Sequence, residues 1–371
     1  MSRMTVLQLL PDLNVGGVER GTVEIASALV TAGHRALVIS NHGRLVDELQ
    51  RSGAEHIALP IGEKKLSTLK YIRKLRDIIV KEKVDIVHAR SRLPAWIGHL
   101  AIRGLPENTR PRWVTTVHGP YSVNRYSRIM LSGEKIIAIS EFIKAYILDN
   151  YPDVDAKRIA LIHRGVDTDA YNRDFRPSSQ WLAEFNQQAF GGSGVKRLIF
   201  PGRLTRWKGQ ADFISLMARL RDANEPVVGL IVGGQSDKQS HFAAELKEQV
   251  RRLGLSEKIF FLGNRADLRE LLAVSDISFS LPNVPEAFGR TTLEALAVGT
   301  PVIGYDEGGT GEILKHLLPS GRVQAADLDM LYDRTVAFLH SPPRIAENTE
   351  MTTRNMQRAT LAIYESLLGK L

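Results

Sequence analysis

Glu286 and Glu294 have seven residues between them in a stretch that runs Glu-Ala-Phe-Gly-Arg-Thr-Thr-Leu-Glu-Ala-Leu-Ala-Val-Gly-Thr-Pro-Val-Ile-Gly-Tyr, from Glu286 to Tyr305. A carboxylate accepts hydrogen bonds from hydroxyls. A helix starting between the two would offer free N–H groups and a dipole to a phosphate. Together these chemistries suit a sugar carried on a phosphate. Two glutamates at this spacing also occur on ordinary surface helices. Glu294, however, sits among Leu293, Ala295, Leu296, Ala297 and Val298, too apolar a setting for a solvated face. Upstream, Gly202-Arg203-Leu204-Thr205-Arg206-Trp207-Lys208-Gly209 supplies a forked guanidinium and a compact ammonium, which together could neutralise a diphosphate or could be two solvated cations. His118, followed by Gly119-Pro120, ends an apolar run. An imidazole there either serves a buried structural hydrogen bond or donates to a sugar hydroxyl and helps orient an acceptor.

The elements that must position these groups follow from periodicity. The Glu286–Tyr305 stretch reads as loop, helix over Thr291–Val298, then a strand, because Gly299 stops the helix and Pro301 opens an apolar run. The first half of the chain alternates strands near Thr5–Leu10, Ala36–Ser40, His56–Leu59, Val84–Ala89, Trp113–His118, Lys135–Ser140 and Ile159–Ile162 with helical stretches. Between Val166 and Gly194, where Gly191-Gly192-Ser193-Gly194 closes the gap, the alternation lapses, apart from a possible short helix at Trp181–Phe190. A second series runs from Arg197–Pro201 through strands at Val227–Val232, Ile259–Leu262 and Ile277–Ser280. Two βα series predict an α/β chain of two Rossmann-like domains with parallel sheets facing across a cleft, ligands lying at the C-terminal strand ends. The expected division is residues 1–165, joined by a returning helix at 351–371, and residues 166–350. Leu66–Lys83 is expected as one basic amphipathic helix; such a helix can lie on an anionic bilayer, but its stripe of Leu66, Leu69, Ile72, Leu75 and Ile79 is expected to pack on the sheet.

Composition narrows the class. The 371 residues hold no cysteine, which excludes disulfides, thiolate catalysis and cysteine-bound metal. The N-terminal apolar run ends at Pro11-Asp12 and no run is long enough to span a bilayer, so a cytoplasmic protein is expected. Net charge is +8, yet Met1–Gly165 holds 25 Lys and Arg against 16 Asp and Glu, +9, leaving −1 for the remainder. A basic first half suggests an acidic partner, whether an anionic membrane surface, a phosphorylated acceptor or nucleic acid. Arg90, Arg92, Trp96, Arg125, Tyr126 and Arg128 add basic and aromatic groups near strand ends. Gly16-Gly17 precedes a helix without the Gly-x-Gly-x-x-Gly spacing, which speaks against a dinucleotide dehydrogenase.

These motifs together, Gly16-Gly17-Val18-Glu19-Arg20, Val117-His118-Gly119, Ala138-Ile139-Ser140, Gly165-Val166-Asp167, Gly202-Arg203 through Lys208-Gly209, and Glu286 through Glu294, resemble retaining glycosyltransferase family 4, of the GT-B fold, over nearly the whole chain. The resemblance implies that Arg203 and Lys208 hold a donor diphosphate, Glu294 the ribose, and Glu286 the hydroxyls of the transferred sugar. Ala287, Phe288, Gly289, Arg290, Thr291 and Thr292 would line sugar and phosphate, with Gly16, Gly17 and Gly263 completing the donor contacts. His118, Glu19, Arg90 and Arg125 are the acceptor-side candidates, and His118, Arg203, Lys208 and Glu286 the catalytic ones. Two positions depart from the family pattern: Arg164 stands where asparagine is common, and Gly311 where proline often precedes the glutamate.

The implied reaction moves a sugar, with a UDP-linked donor expected, to a cell-envelope glycan or lipid-linked acceptor such as lipopolysaccharide core. The leaving diphosphate would help take the acceptor proton. Neither cofactor nor metal is implied; the Asp-x-Asp sequences at Asp153, Asp167 and Asp327 lack the strand-end context of a metal–nucleotide site. The alternatives are a phosphorylase or epimerase of the same fold and, from another class, a basic nucleic-acid binder, which leaves Glu286 and Glu294 without a role.

Overall fold

The computed structural model describes residues 3–14, 16–188, 190, 194–234 and 240–369. Val15 in the first glycine turn and the Gly191-Gly192-Ser193 linker lie outside the described residues. The chain forms two compact units, Met1–Arg164 with Thr353–Leu371, and Gly165–Thr352.

In the first unit β1 (Thr5–Leu9), β2 (Arg35–Ser40), β3 (Glu55–Ala58), β4 (Ile86–Ala89), β5 (Arg112–Val117), β6 (Lys135–Ala138) and β7 (Ile159–Leu161) pair in parallel, in the order β3-β2-β1-β4-β5-β6-β7. Its helices are α1 (Gly17–Thr31), α2 (Val46–Arg51), α3 (Tyr71–Lys81), α4 (Arg92–Arg103) and α5 (Glu141–Asn150). Central strands covered on both faces need unbroken apolar runs, and Val6, Leu7, Leu9, Ile86 and Val87 are fully buried. The basic helix differs from expectation. Leu66–Lys70 is a 3-10 turn, α3 begins only at Tyr71, and the buried residues are Leu75 and Ile79 while Leu66 and Leu69 stand in solvent. The reason is anchoring: the Thr68 hydroxyl donates to the Glu63 carbonyl at 2.7 Å, turning the threonine inward and the leucines out.

The second unit opens with α6 (Ser179–Asn186), shorter than the expected Trp181–Phe190 helix at its C-terminal end. There follow β8 (Lys196–Pro201), α7 (Gln210–Asp222), β9 (Val227–Val232), α8 (Ser240–Arg252), β10 (Ile259–Gly263), α9 (Leu268–Ala273), β11 (Ile277–Ser280), α10 (Arg290–Ala297), β12 (Val302–Tyr305), α11 (Gly308–Leu317), β13 (Arg322–Val323) and α12 (Leu328–His340). The strands pair in parallel as β10-β9-β8-β11-β12-β13. The chain then returns to the first unit in α13 (Thr353–Leu367), whose Met356 and Tyr364 join that unit's core. The Asp-x-Asp sequences serve turns. Asp155 accepts from the Lys157 N–H, Asp167 from that of Asp169, and Asp327 caps α12 through the Met330 N–H.

Strand order reverses direction between β8 and β11, the point in a doubly wound sheet where the two following loops part and leave room for a ligand. Here the loops are locked together before they part. Gly209 has φ +86°, and a Cβ there would lie 1.8 Å from the Leu281 carbonyl oxygen; the Asn283 N–H donates to the Trp207 carbonyl at 2.9 Å. Gly209→Ala is expected to destabilise the second unit by about 3 kcal/mol or more. Gly254→Ala, at φ +65° with its nearest neighbour at 3.5 Å, is expected to cost only about 1 kcal/mol in the same denaturant titration.

Candidate functional site

The loop after β8 and the loop after β11 meet through charge. Lys208 forms a close ion pair with Glu286, with side-chain exposures of 20% and 10%, and its ammonium also lies over the Trp207 ring, 4.8 Å from the centroid. Both partners lose hydration here, so removing either leaves the other poorly compensated. Arg203 on the same loop is exposed, and no ion pair holds its guanidinium among the described residues. The Glu286 carbonyl accepts from the Gly309 N–H at 2.8 Å, which seats the 286–289 loop on the start of α11. Phe288 is buried, Ala287 and Gly289 are half-buried, and Gly289 caps α10 in the left-handed region, so that Arg290, Thr291 and Thr292 form its first turn.

One turn further on, Glu294 is 9% exposed and pairs with Arg290 at 3.4 Å. Burial and the neighbouring charge of Glu294 push the Tyr171 hydroxyl up to about 12. Thr292 is fully buried, and its hydroxyl has no hydrogen-bond partner among the described residues; the Thr205 hydroxyl and the Gln210 side-chain carbonyl are in the same position on the β8 loop and the first residue of α7. Buried polar atoms are normally partnered, and these three lie on the β8 loop and at the starts of α7 and α10, on or next to the segments that carry Arg203, Lys208, Glu286 and Glu294. Gly263 ends β10 on the same edge of the sheet, exposed and giving its carbonyl to the Gly233 N–H.

The first unit gathers a second cluster at its strand ends. Arg164 donates to Nδ1 of His118 at 3.1 Å, so Nδ1 is the acceptor and the ring proton sits on Nε2, which is buried without a partner among the described residues. Burial, with Arg164 and Arg90 close by, holds His118 well below the ordinary imidazole range and therefore neutral. His88 is neutral for the same reasons, its nitrogens shared between the hydroxyls of Tyr364 and Thr116, both at 2.6 Å. Arg90 departs from expectation. It is 3% exposed and donates to the Gln8 side chain at 2.8 Å, which in turn donates to the Thr22 carbonyl, so its guanidinium braces β1 and β4 from within and is not presented at the surface. Arg125 is exposed on the loop after His118, and Glu19 turns its carboxylate back over Gly16 at the start of α1, with Gly17 exposed beside it. Arg92 is held by the Tyr121 and Tyr126 rings and Arg128 by Asp153, so neither is a free surface cation.

Two family models match, Glycosyltransferase Family 4 over residues 15–170 and Glycosyl transferases group 1 over residues 184–354. The crystal structure of a glycosyltransferase from Rickettsia africae is 30% identical, covers 99% of both chains and superposes with a TM-score of 0.87. The chain belongs to glycosyltransferase family 4. Its two parallel α/β sheets are those of the GT-B glycosyltransferases. The lipopolysaccharide core biosynthesis mannosyltransferase LpsB of Rhizobium meliloti is 28% identical over 247 residues, 63% of this chain and 66% of that protein. Anabaena HepE, solved with UDP and glucose, shares the fold at 22% identity and a TM-score of 0.77, covering 98% and 95% of the two chains.

The two departures of this family 4 chain have local explanations. The Arg164 guanidinium occupies the space over α1 where a Cβ on Gly21 would stand, 1.5 Å from Nη1, so arginine and glycine fit as a pair. At Gly311 a Cβ would lie 2.8 Å from Asp306, which Arg322 holds through two guanidinium nitrogens. Tyr171, Thr205 and Gln210 carry no local signal in residue order. Only the contacts of Glu294 and the β8 loop reveal them.

Two neutral native histidines set the direction of the acid response. An imidazole with a depressed native pKa binds no proton where the unfolded one does. Stability therefore holds above the ordinary imidazole range and is lost as pH falls through it, by up to about 1.4 kcal/mol per pH unit for each histidine. Denaturant titrations at neutral and mildly acidic pH should show this fall in the first unit, and His118→Gln should make it shallower.

Proposed function

We propose that this chain transfers a sugar, with retention of anomeric configuration, from a nucleoside-diphosphate sugar to a hydroxyl of a cell-envelope glycan or lipid-linked acceptor. The observation that carries the reading is the Lys208–Glu286 pair beside the first turn of α10, with Glu294 buried one turn on. In this reading Lys208 and Arg203 take the diphosphate, the α10 N–H groups assist, Glu286 accepts from the transferred sugar and Glu294 from the ribose. Bond breaking at the anomeric carbon places negative charge on the diphosphate, where preorganised cations have most leverage. The departing phosphate oxygen takes the proton of the acceptor hydroxyl as the hydroxyl's own oxygen bonds to the anomeric carbon on the face the phosphate leaves. The Nε2–H of His118 is the donor that the first unit offers to a sugar or acceptor hydroxyl, with Arg125 on the same loop after β5 and Glu19 on the helix that follows β1. Gly16, Gly17 and Gly263 are the donor-side glycines of this reading.

HepE, bound to UDP and glucose, supports a UDP-linked donor, and the relative LpsB supports a lipopolysaccharide core acceptor. The basic first half supports a peripheral place on the inner face of the cell membrane.

A thermal-shift panel of UDP-, GDP- and ADP-sugars tests the donor site. The UDP-sugars are expected to stabilise the wild type by about 2–3 kcal/mol at a hundredfold excess over Kd, and Glu294→Ala by far less. Equal stabilisation of both proteins would remove Glu294 from the site. Release of UDP only when an acceptor is added separates transfer from phosphorolysis or epimerisation.

A further inference from the structure

The 3-10 turn Leu66–Lys70 presents apolar surface that none of the described residues covers. Leu66 is 90% exposed and Leu69 53%. Residues three apart eclipse one another in a 3-10 turn, so the two side chains stand together. The turn is braced from below: Thr68 is 2% exposed, its N–H bonds the Lys65 carbonyl at 3.0 Å and its hydroxyl the Glu63 carbonyl. The leucines are therefore held outward by a fixed backbone. Core packing does not need them, because Leu75 and Ile79 already bury the inner face of α3.

Charge surrounds this apolar tip. Lys64, Lys65, Lys70, Arg73 and Lys74 are all exposed, and residues 64–81 carry seven Lys and Arg against Asp77 alone, a local +6 in a chain of net +8. Of these, Lys65 is paired, with Glu63 at 3.0 Å. Two stacked leucines ringed by cations complement a surface that is anionic outside and apolar just beneath, as an anionic lipid leaflet is.

We propose that the Leu66–Lys70 turn is a membrane-docking tip, Leu66 and Leu69 entering the headgroup–acyl boundary while Lys64, Lys65, Lys70, Arg73 and Lys74 meet lipid phosphates. The turn follows β3, so it lies on the same sheet edge as His118 at the end of β5. Four strand spacings separate β3 from β5, roughly 19 Å. A lipid-linked acceptor whose anchor sits in the bilayer at the tip would have its headgroup within reach of that edge. The proposal extends the transferase reading by naming the surface that meets the lipid, and rests on it only for this last point.

Flotation with vesicles of phosphatidylcholine alone, and of equal parts phosphatidylcholine and phosphatidylglycerol, tests it with the full chain. The wild type is expected on the anionic vesicles at low salt and not on the neutral ones. Leu66→Ser with Leu69→Ser, and separately Lys64→Gln with Lys65→Gln and Lys70→Gln, should each lower partitioning at least about tenfold. All five side chains are exposed, so both variants should fold, and an unchanged thermal shift with a UDP-sugar would show the donor site intact. Wild type that stays off anionic vesicles, or variants that bind as well as wild type, would overturn the proposal. So would a leucine variant that instead lowers the oligomeric state in sedimentation, since a second copy would then be what covers the tip.

Discussion

The Lys208–Glu286 ion pair is the contact on which the second unit's site depends. It ties the loop after β8 to the loop after β11 at the point where strand order reverses, and it does so with both side chains largely withdrawn from water. Such a pair contributes little net stability, because desolvation offsets most of the attraction. Its value is positional. It fixes an ammonium on the loop that faces the approach to α10 through Glu286, and in the proposed transferase a diphosphate arriving there would compete with Glu286 for Lys208. The carboxylate so released would then accept from a sugar hydroxyl. The close approach of Gly209 to Leu281 and the seating of Glu286 on Gly309 hold the two loops together.

The first unit solves a different electrostatic problem. Arg90, Arg164, His88 and His118 share one buried region, and two guanidinium groups there are tolerable only with acceptors supplied to them. Gln8, Tyr364 and Nδ1 of His118 are among those acceptors, and Glu24 adds a favourable charge for Arg90. One consequence bears on His118. By donating to Nδ1, Arg164 fixes the tautomer that leaves an N–H on Nε2, so His118 acts as a hydrogen-bond donor without being charged. α13 belongs to the same network through Tyr364, whose hydroxyl bonds His88 on β4.

Much of this was legible from residue order. Strand periodicity located both sheets, and the apolar setting of Glu294 pointed correctly to a buried carboxylate, 9% exposed. The ion pair between Lys208 and Glu286 was not legible, since 78 residues separate them and only the β8–β11 adjacency brings them together. Arg90 misled for a related reason. A charged residue at a strand end reads as exposed, and nothing local shows that Gln8, Thr22 and Tyr364 will enclose it. Leu66 and Leu69 misled in the opposite sense, because helical spacing implies a buried stripe while the inward turn of Thr68 reverses which side faces the core. Side-chain burial at element ends depends on tertiary neighbours, and periodicity carries no information about them.

Calorimetric titration of UDP against wild type, Lys208→Ala, Glu286→Ala and the double variant tests the exchange of partners most directly. Lys208→Ala is expected to weaken UDP at least about tenfold, by loss of a charge-assisted contact. Glu286→Ala is expected to bind free UDP as tightly as wild type or more tightly, having removed the competitor, while losing affinity for the UDP-sugar. Glu286→Ala weakening free UDP as much as Lys208→Ala does would contradict a competition for the ammonium and leave the pair as a structural tie alone.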